Sequence, residues 1–300
     1  MCKANVSAKK FFKLIFEILF YHIVINSIFL ISGYTSFSLR SLLDFVVPFR
    51  TVDCNFIGTY MLFFLCMPFL NILINNLNEK QHVRLILLST FIYVFFRTMP
   101  LFRVTMNYIS WYIVLYFTAS YIRLYPKQIF TKTKFWGIST GVCIVFCGLS
   151  VVLSAWISTK INRDVSYFFV MDANTLLAYL TGICSFMFFK NIKIKPSKLI
   201  NTISSTTFGV LLIHANSDTM RIWLWKDTLK NVEMYSSDWV YLHAILSVTI
   251  IFIVCSIIEL MRIRFIEKPF FVFFNKHYDK IAGKCLALEN KLCEKFKIKD

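Results

Sequence analysis

"FWGISTGVCIVFCGLSVVLSAWI", residues 135–157, runs for 23 positions without one charged side chain. As a helix rising 1.5 Å per residue it is about 34 Å long, enough to cross a hydrocarbon layer of roughly 30 Å. The rest of the chain has the same character. Of its 300 residues 57% are hydrophobic, mean hydropathy is +0.63, and only 16% are charged. A soluble domain uses about 25% charged residues to cover its surface. The charges here cluster between long apolar runs, and that pattern predicts an all-α polytopic membrane protein.

Eight candidate spans follow, at about 11–33, 56–74, 83–99, 107–125, 135–157, 174–190, 201–220 and 240–261. Of the 33 Lys and Arg residues, 24 fall on the side of the N-terminus and 9 on the other. Basic loops stay in the cytoplasm, so this asymmetry predicts a multi-pass plasma-membrane protein with both termini inside. The expected result is that a single cysteine at position 195, on a cysteine-free background, escapes an impermeant thiol reagent in intact cells. Labelling there would overturn the topology. The net charge of +17 is accounted for by these loops and the tail, and no nucleic-acid-binding motif accompanies it. Residues 1–275 read as one transmembrane domain. The basic tail 276–300, with Ile281, Leu288, Leu292 and Phe296 on one stripe, reads as a helix lying on inner-leaflet lipids. The nine cysteines have no metal-binding spacing, so no metal is expected.

An ionisable group within a span is costly and normally faces a partner or a wet cavity. On the first span Lys13, Glu17 and Tyr21 share one stripe, and His22 and Asn26 another. On the seventh, at 100° per residue, Thr207, His214, Ser217, Asp218 and Arg221 fall near one line. His214 then lies about 24 Å beyond Lys198, near the outer boundary. A helix continuing to 220 puts Asp218 one turn further on, where its carboxylate would hold the ring's tautomer for general-base work on a hydroxyl. The competing reading is a histidine hydrogen-bonded to a carbonyl. Asn55 and Tyr60, with Asn107 and Trp111, stand at outer span ends, where such side chains stack on sugars or form an interfacial belt.

Four stretches carry a resemblance: "NFIGTYMLFFLCMPFLNILINNLNEKQ" (55–81), "SWYIVLYFTASYIRLYP" (110–126), "FFKNIKIKPSKLINTISSTTFGVLLIHAN" (188–216) and "IEKPFF" (266–271). In order and spacing, from about residue 9 to 275, the chain resembles the integral-membrane acyltransferase 3 family, specifically its polysaccharide O-acetyltransferase-like members. The resemblance implies a ten-helix fold that uses acyl-CoA, usually acetyl-CoA, as donor. The acceptor it implies is a hydroxyl of a surface polysaccharide or a lipid-linked glycan. The family's phenylalanine-glycine-x-tyrosine-leucine-isoleucine-histidine stretch falls on Phe208 to His214. Leu211 stands where tyrosine is usual, and Ala215 where an acidic residue is common. The match implies His214 as a catalytic candidate; the stripe adds Asp218 as its partner and Arg221 toward the substrate, and the outer span ends add Asn55, Tyr60 and Trp111.

The chain begins at what resembles the family's third helix. The expectation is therefore a front pair of helices, with the family's arginine and principal histidine, outside this sequence. Three readings stay open on sequence alone. One is an acyltransferase. Another is an inactive remnant, or a subunit working with a separate N-terminal fragment or as an oligomer. The third is a transporter of glycan-lipid, against which the lack of an inverted repeat counts.

Overall fold

The computed structural model of the chain describes residues 8–36, 56–102, 104–278 and 283, and every regular element among them is helical. Asn55 and nearly all of the 276–300 tail lie outside the described residues. The helices are α1 (Ala8–Ile31), α2 (Phe56–Asn75), α3 (Glu79–Thr90), α4 (Tyr108–Leu124), α5 (Thr133–Ile161) and α6 (Leu176–Asn191). There follow α7 (Lys198–His214), the short α8 (Asp218–Arg221) and α9 (Asn231–Met234), and α10 (Val240–Arg262). α3 continues through a π-helical turn at Phe91–Phe95 to Thr98, α8 runs into another at Ile222–Thr228, and α10 into a third at Ile263–Glu267.

Seven of the eight predicted spans coincide with a helix, the third through its π-helical turn; the seventh, 201–220, is broken at 215–217. Among the described residues, four helical stretches are long and apolar enough to cross a membrane: Lys9–Ile31, Phe56–Asn75, Thr133–Ile161 and Val240–Tyr278. Their surfaces fit that solvent. Along α5 Ile138 and Val152 are about 70% exposed, while the helix's single buried residue is Ser154. A helix apolar all round and uncovered by protein is a poor match to water and a good one to lipid.

Local chemistry sets the helix ends. α3 starts at Glu79, four residues before the predicted span, because Asn78 and Gln81 form a reciprocal cap. The Asn78 side chain accepts from Gln81 N at 2.9 Å, and Gln81 accepts from Asn78 N at 2.9 Å. Asn107 caps α4 by accepting from Ile109 N and Ser110 N. The largest difference from expectation is at α7, which ends at His214 and not near 220. Ser217 accepts from Met220 N at 3.1 Å and starts α8 afresh, so the chain leaves helical geometry between His214 and Asp218.

The chain divides into two compact units, Met1–Phe20 with Thr35–Lys195 and Tyr21–Tyr34 with Pro196–Asp300. In the first, α5 packs along α6, and α4 packs on both α2 and α3. A small core of Ile74 and Phe117 is surrounded by Leu70, Leu85, Ile86 and Tyr116. His82 is fully buried beside it, with Nε2 3.0 Å from the Phe117 carbonyl. In the second unit α7 packs on α10.

At the start of α3, Lys127 Nζ lies 2.6 Å from Glu79 Oε1, and the Tyr121 hydroxyl donates to the same carboxylate. The Lys127 hydrogen bond, then that of Tyr121, lowers the Glu79 pKa below its ordinary 4.5, and Glu79 raises Lys127 above its ordinary 10.5. The lowered acid stabilises the fold above its unfolded pKa, and this is lost as pH falls through the folded value. The raised base stabilises below its unfolded pKa, and this is lost as pH rises through the folded value. The contact therefore holds across neutral pH. Lys127→Gln is expected to return the Glu79 pKa toward 4.5, read by carboxyl-carbon NMR titration; an unmoved titration would show the contact to be idle.

Candidate functional site

In the second unit the chemistry gathers on α7 and α10. His214 closes α7, half-buried, with its Nδ1 2.6 Å from the carbonyl of Val210 one turn back. A carbonyl oxygen can only accept, so Nδ1 carries the ring proton and, in the neutral ring, Nε2 carries the lone pair. That is the tautomer a general base needs. The ring's edge meets Trp225, with centroids 6.5 Å apart. Two residues on, Asn216 donates to the Leu212 carbonyl at 3.1 Å, and its buried Oδ1 has no hydrogen-bond partner among the described residues. The end of α7 thus carries two acceptors, a ring nitrogen and a buried amide oxygen.

Asp218 does not orient His214 as the sequence stripe suggested. Its side chain is 90% exposed and pairs with Arg221 at 3.0 Å, because the break at 215–217 turns it out of the α7 register. Arg221, expected toward the substrate, has this carboxylate as its partner.

The buried charge of the unit is elsewhere, at residues the sequence pattern did not single out. Glu259, Arg262 and Glu267 are 1%, 3% and 5% exposed. Arg262 holds Glu259 in a fork, Nε to Oε2 at 2.8 Å and Nη2 to Oε1 at 2.7 Å, and reaches Glu267 at 2.6 Å. The Tyr21 hydroxyl donates to Glu259 at 2.5 Å, and the Arg262 guanidinium lies over the Tyr21 ring. The bidentate fork is the strong form of a charge-assisted contact, and it offsets the cost of burying ions in an apolar helix. Beside it Thr206 donates to Ser256 at 3.1 Å. Gly209 faces the Glu259 carboxylate so closely that a methyl group there would overlap it. The glycine of "FGVLLIH" therefore has a steric reason: it leaves α7 open for this carboxylate. Spacing offered one signal, an acid three residues before an arginine, but that is common at the ends of membrane helices.

In the first unit the remaining candidates separate. Tyr60 on α2 makes an edge contact with Tyr112 on α4, within a cluster that includes Phe56 and Tyr108. Trp111 is buried against Tyr93 and Tyr179 and lines the interior instead of offering an open stacking face. Tyr60 and Trp111 lie in separate aromatic groups. No family model, no curated protein and no solved structure matches this chain.

Proposed function

We propose that the chain is an integral-membrane O-acyltransferase. It takes an acyl group, acetyl by the resemblance, from cytoplasmic acyl-CoA to a hydroxyl of a surface polysaccharide or lipid-linked glycan. Eight crossings with both termini in the cytoplasm complete the reading. The observation that carries it is His214 at the end of α7, in the stretch that bears the resemblance. Its proton is fixed on Nδ1 by the Val210 carbonyl, and its Nε2 is left as the acceptor.

In the reaction Nε2 takes the proton of the acceptor hydroxyl as that oxygen attacks the thioester carbonyl. The carbon–sulfur bond breaks, the new ester forms, and the imidazolium returns its proton to the departing thiolate of CoA. Asn216 Oδ1 accepts a hydrogen bond from a second hydroxyl and orients the acceptor. The buried Glu259–Arg262–Glu267 group keeps α10 against α7 and so fixes where His214 is presented. Proteoliposomes carrying the full-length protein are expected to move radiolabel from [acetyl-14C]acetyl-CoA to a cell-surface polysaccharide extract. Its absence over vesicles without protein would remove the proposal.

A further inference from the structure

One polar group in the first unit is not used by that reaction. It lies where the end of the α3 continuation, the start of α4 and the start of α6 meet. Arg97 donates to Asp172 through Nε at 2.9 Å and Nη2 at 2.7 Å, both to Oδ2, and its guanidinium stacks over Phe168 at 5.4 Å. The pair is partly open, the side chains being 13% and 25% exposed. Two residues after Asp172, Asn174 is fully buried. Its amide donates to the Tyr93 carbonyl at 3.2 Å, and its Oδ1 has no hydrogen-bond partner among the described residues. A buried acceptor without a donor costs about 1–3 kcal/mol, so it calls for a partner, whether a water or a ligand.

The backbone around the group is also irregular. Tyr93 lies in the π-helical turn of α3, a feature frequent at functional sites. Its hydroxyl donates to the Asn107 carbonyl at 2.7 Å and accepts from the Asn107 amide at 2.5 Å. Thr98 accepts from Leu176 N at 2.8 Å. These bonds tie the three helix ends together and hold the group in place. Trp111 and Tyr179 form an apolar wall beside it.

The unused valences define a ligand. Asn174 Oδ1 and Asp172 Oδ1 can only accept, and Arg97 Nη1 can only donate. A partner must therefore donate twice and accept once, which adjacent hydroxyls do. Arg97 and Asp172 neutralise each other, so neither an anion nor a cation is favoured. We infer that Arg97, Asp172 and Asn174, with Phe168 as a stacking face, form a binding subsite for an uncharged sugar with neighbouring free hydroxyls. The inference rests on the acyltransferase reading only for the sugar's place in the reaction, on the acceptor side.

The test reads binding without acyl-CoA, by saturation-transfer NMR on the detergent-purified full-length protein. Its probes are the methyl glycosides of glucose, galactose, mannose and N-acetylglucosamine. Saturation transfer is expected to at least one of them, falling at least fivefold in Asp172→Asn and in Arg97→Lys. Both substitutions sit at the open edge and keep the packing. Asn174→Ser should behave likewise if it folds, and the two edge variants decide the matter if it does not. No signal from any of the four glycosides, or full signal in both edge variants, would overturn the subsite and leave Asn174 Oδ1 to a buried water. Glycoside binding without any acyl transfer would instead sink the enzyme reading and leave the subsite standing.

Discussion

Gly209→Ala is expected to lower the thermal midpoint of the detergent-purified protein by roughly 6–20 °C, or to prevent its recovery as a single species. The added methyl overlaps the Glu259 carboxylate, and that carboxylate is not the loose end of a flexible chain. Arg262 grips both of its oxygens, and Tyr21 binds one of them. Either α7 moves off α10 or the fork opens, and breaking a buried ion pair costs about 3–5 kcal/mol. At about 2–4 °C per kcal/mol for a larger chain, the stated range follows. Gly141→Ala and Gly148→Ala are the controls. A methyl at either meets nothing within 4 Å, so the better helix propensity of alanine should leave the midpoint unchanged or slightly higher. In a Glu259→Ala background the same Gly209→Ala change should cost little, because the group it strikes is gone. Such non-additivity is the signature of direct contact. Equal losses in both backgrounds would show that Gly209 is needed for something other than Glu259.

His214→Ala is expected to lower acyl transfer at least tenfold in a protein that inserts and folds normally. A general base contributes about 10²–10⁴-fold, and a histidine that only orients the acceptor contributes less, so tenfold is the floor. Asp218→Asn separates two accounts of the ring. If the Val210 carbonyl fixes the tautomer, as the 2.6 Å contact implies, this change leaves turnover within about twofold, because Asp218 engages Arg221 in a different register. A loss matching that of His214→Ala would restore the carboxylate as the orienting group. Normal turnover in well-expressed His214→Ala protein would reduce the histidine to a hydrogen-bonding residue at a helix end.

The helices were legible in the sequence because apolar run length is read directly from residues. Their ends were less so: the cap at Asn107 falls at the predicted start of its span, whereas those at Asn78 and Ser217 do not. The false step came at "HANSD", residues 214–218. There the polar stripe argued for a continuing helix, but Ser217 starts a new one. Periodicity sums over many residues, whereas one serine hydroxyl bonding the Met220 amide decided the outcome locally. Glu259 was missed for a different reason. Tyr21, Gly209 and Glu259 lie far apart in the chain, and only tertiary packing brings them together. Tyr21 was half-legible, having been read on a polar stripe with Glu17. Asn174 was invisible, since nothing in "MDANTLL" distinguishes an amide facing solvent from one enclosed with an idle oxygen.

The π-helical turn at Phe91–Phe95 makes chain length itself a variable. Such a turn holds one residue more than the α-helical turn it replaces, so deleting a single residue there allows α3 to close as ordinary helix without a break. Residues on either side of the deletion would keep their facing, because the π-helical turn takes up its one extra residue within itself. Arg97 would still meet Asp172, and Thr98 the Leu176 amide, while the helix kept its full hydrogen bonding. A homologous chain one residue shorter between Thr90 and Phe96 would span the same distance, look equally helical and carry the same surface at that end. In an alignment of such chains the gap belongs inside the helix, at Phe91–Phe95.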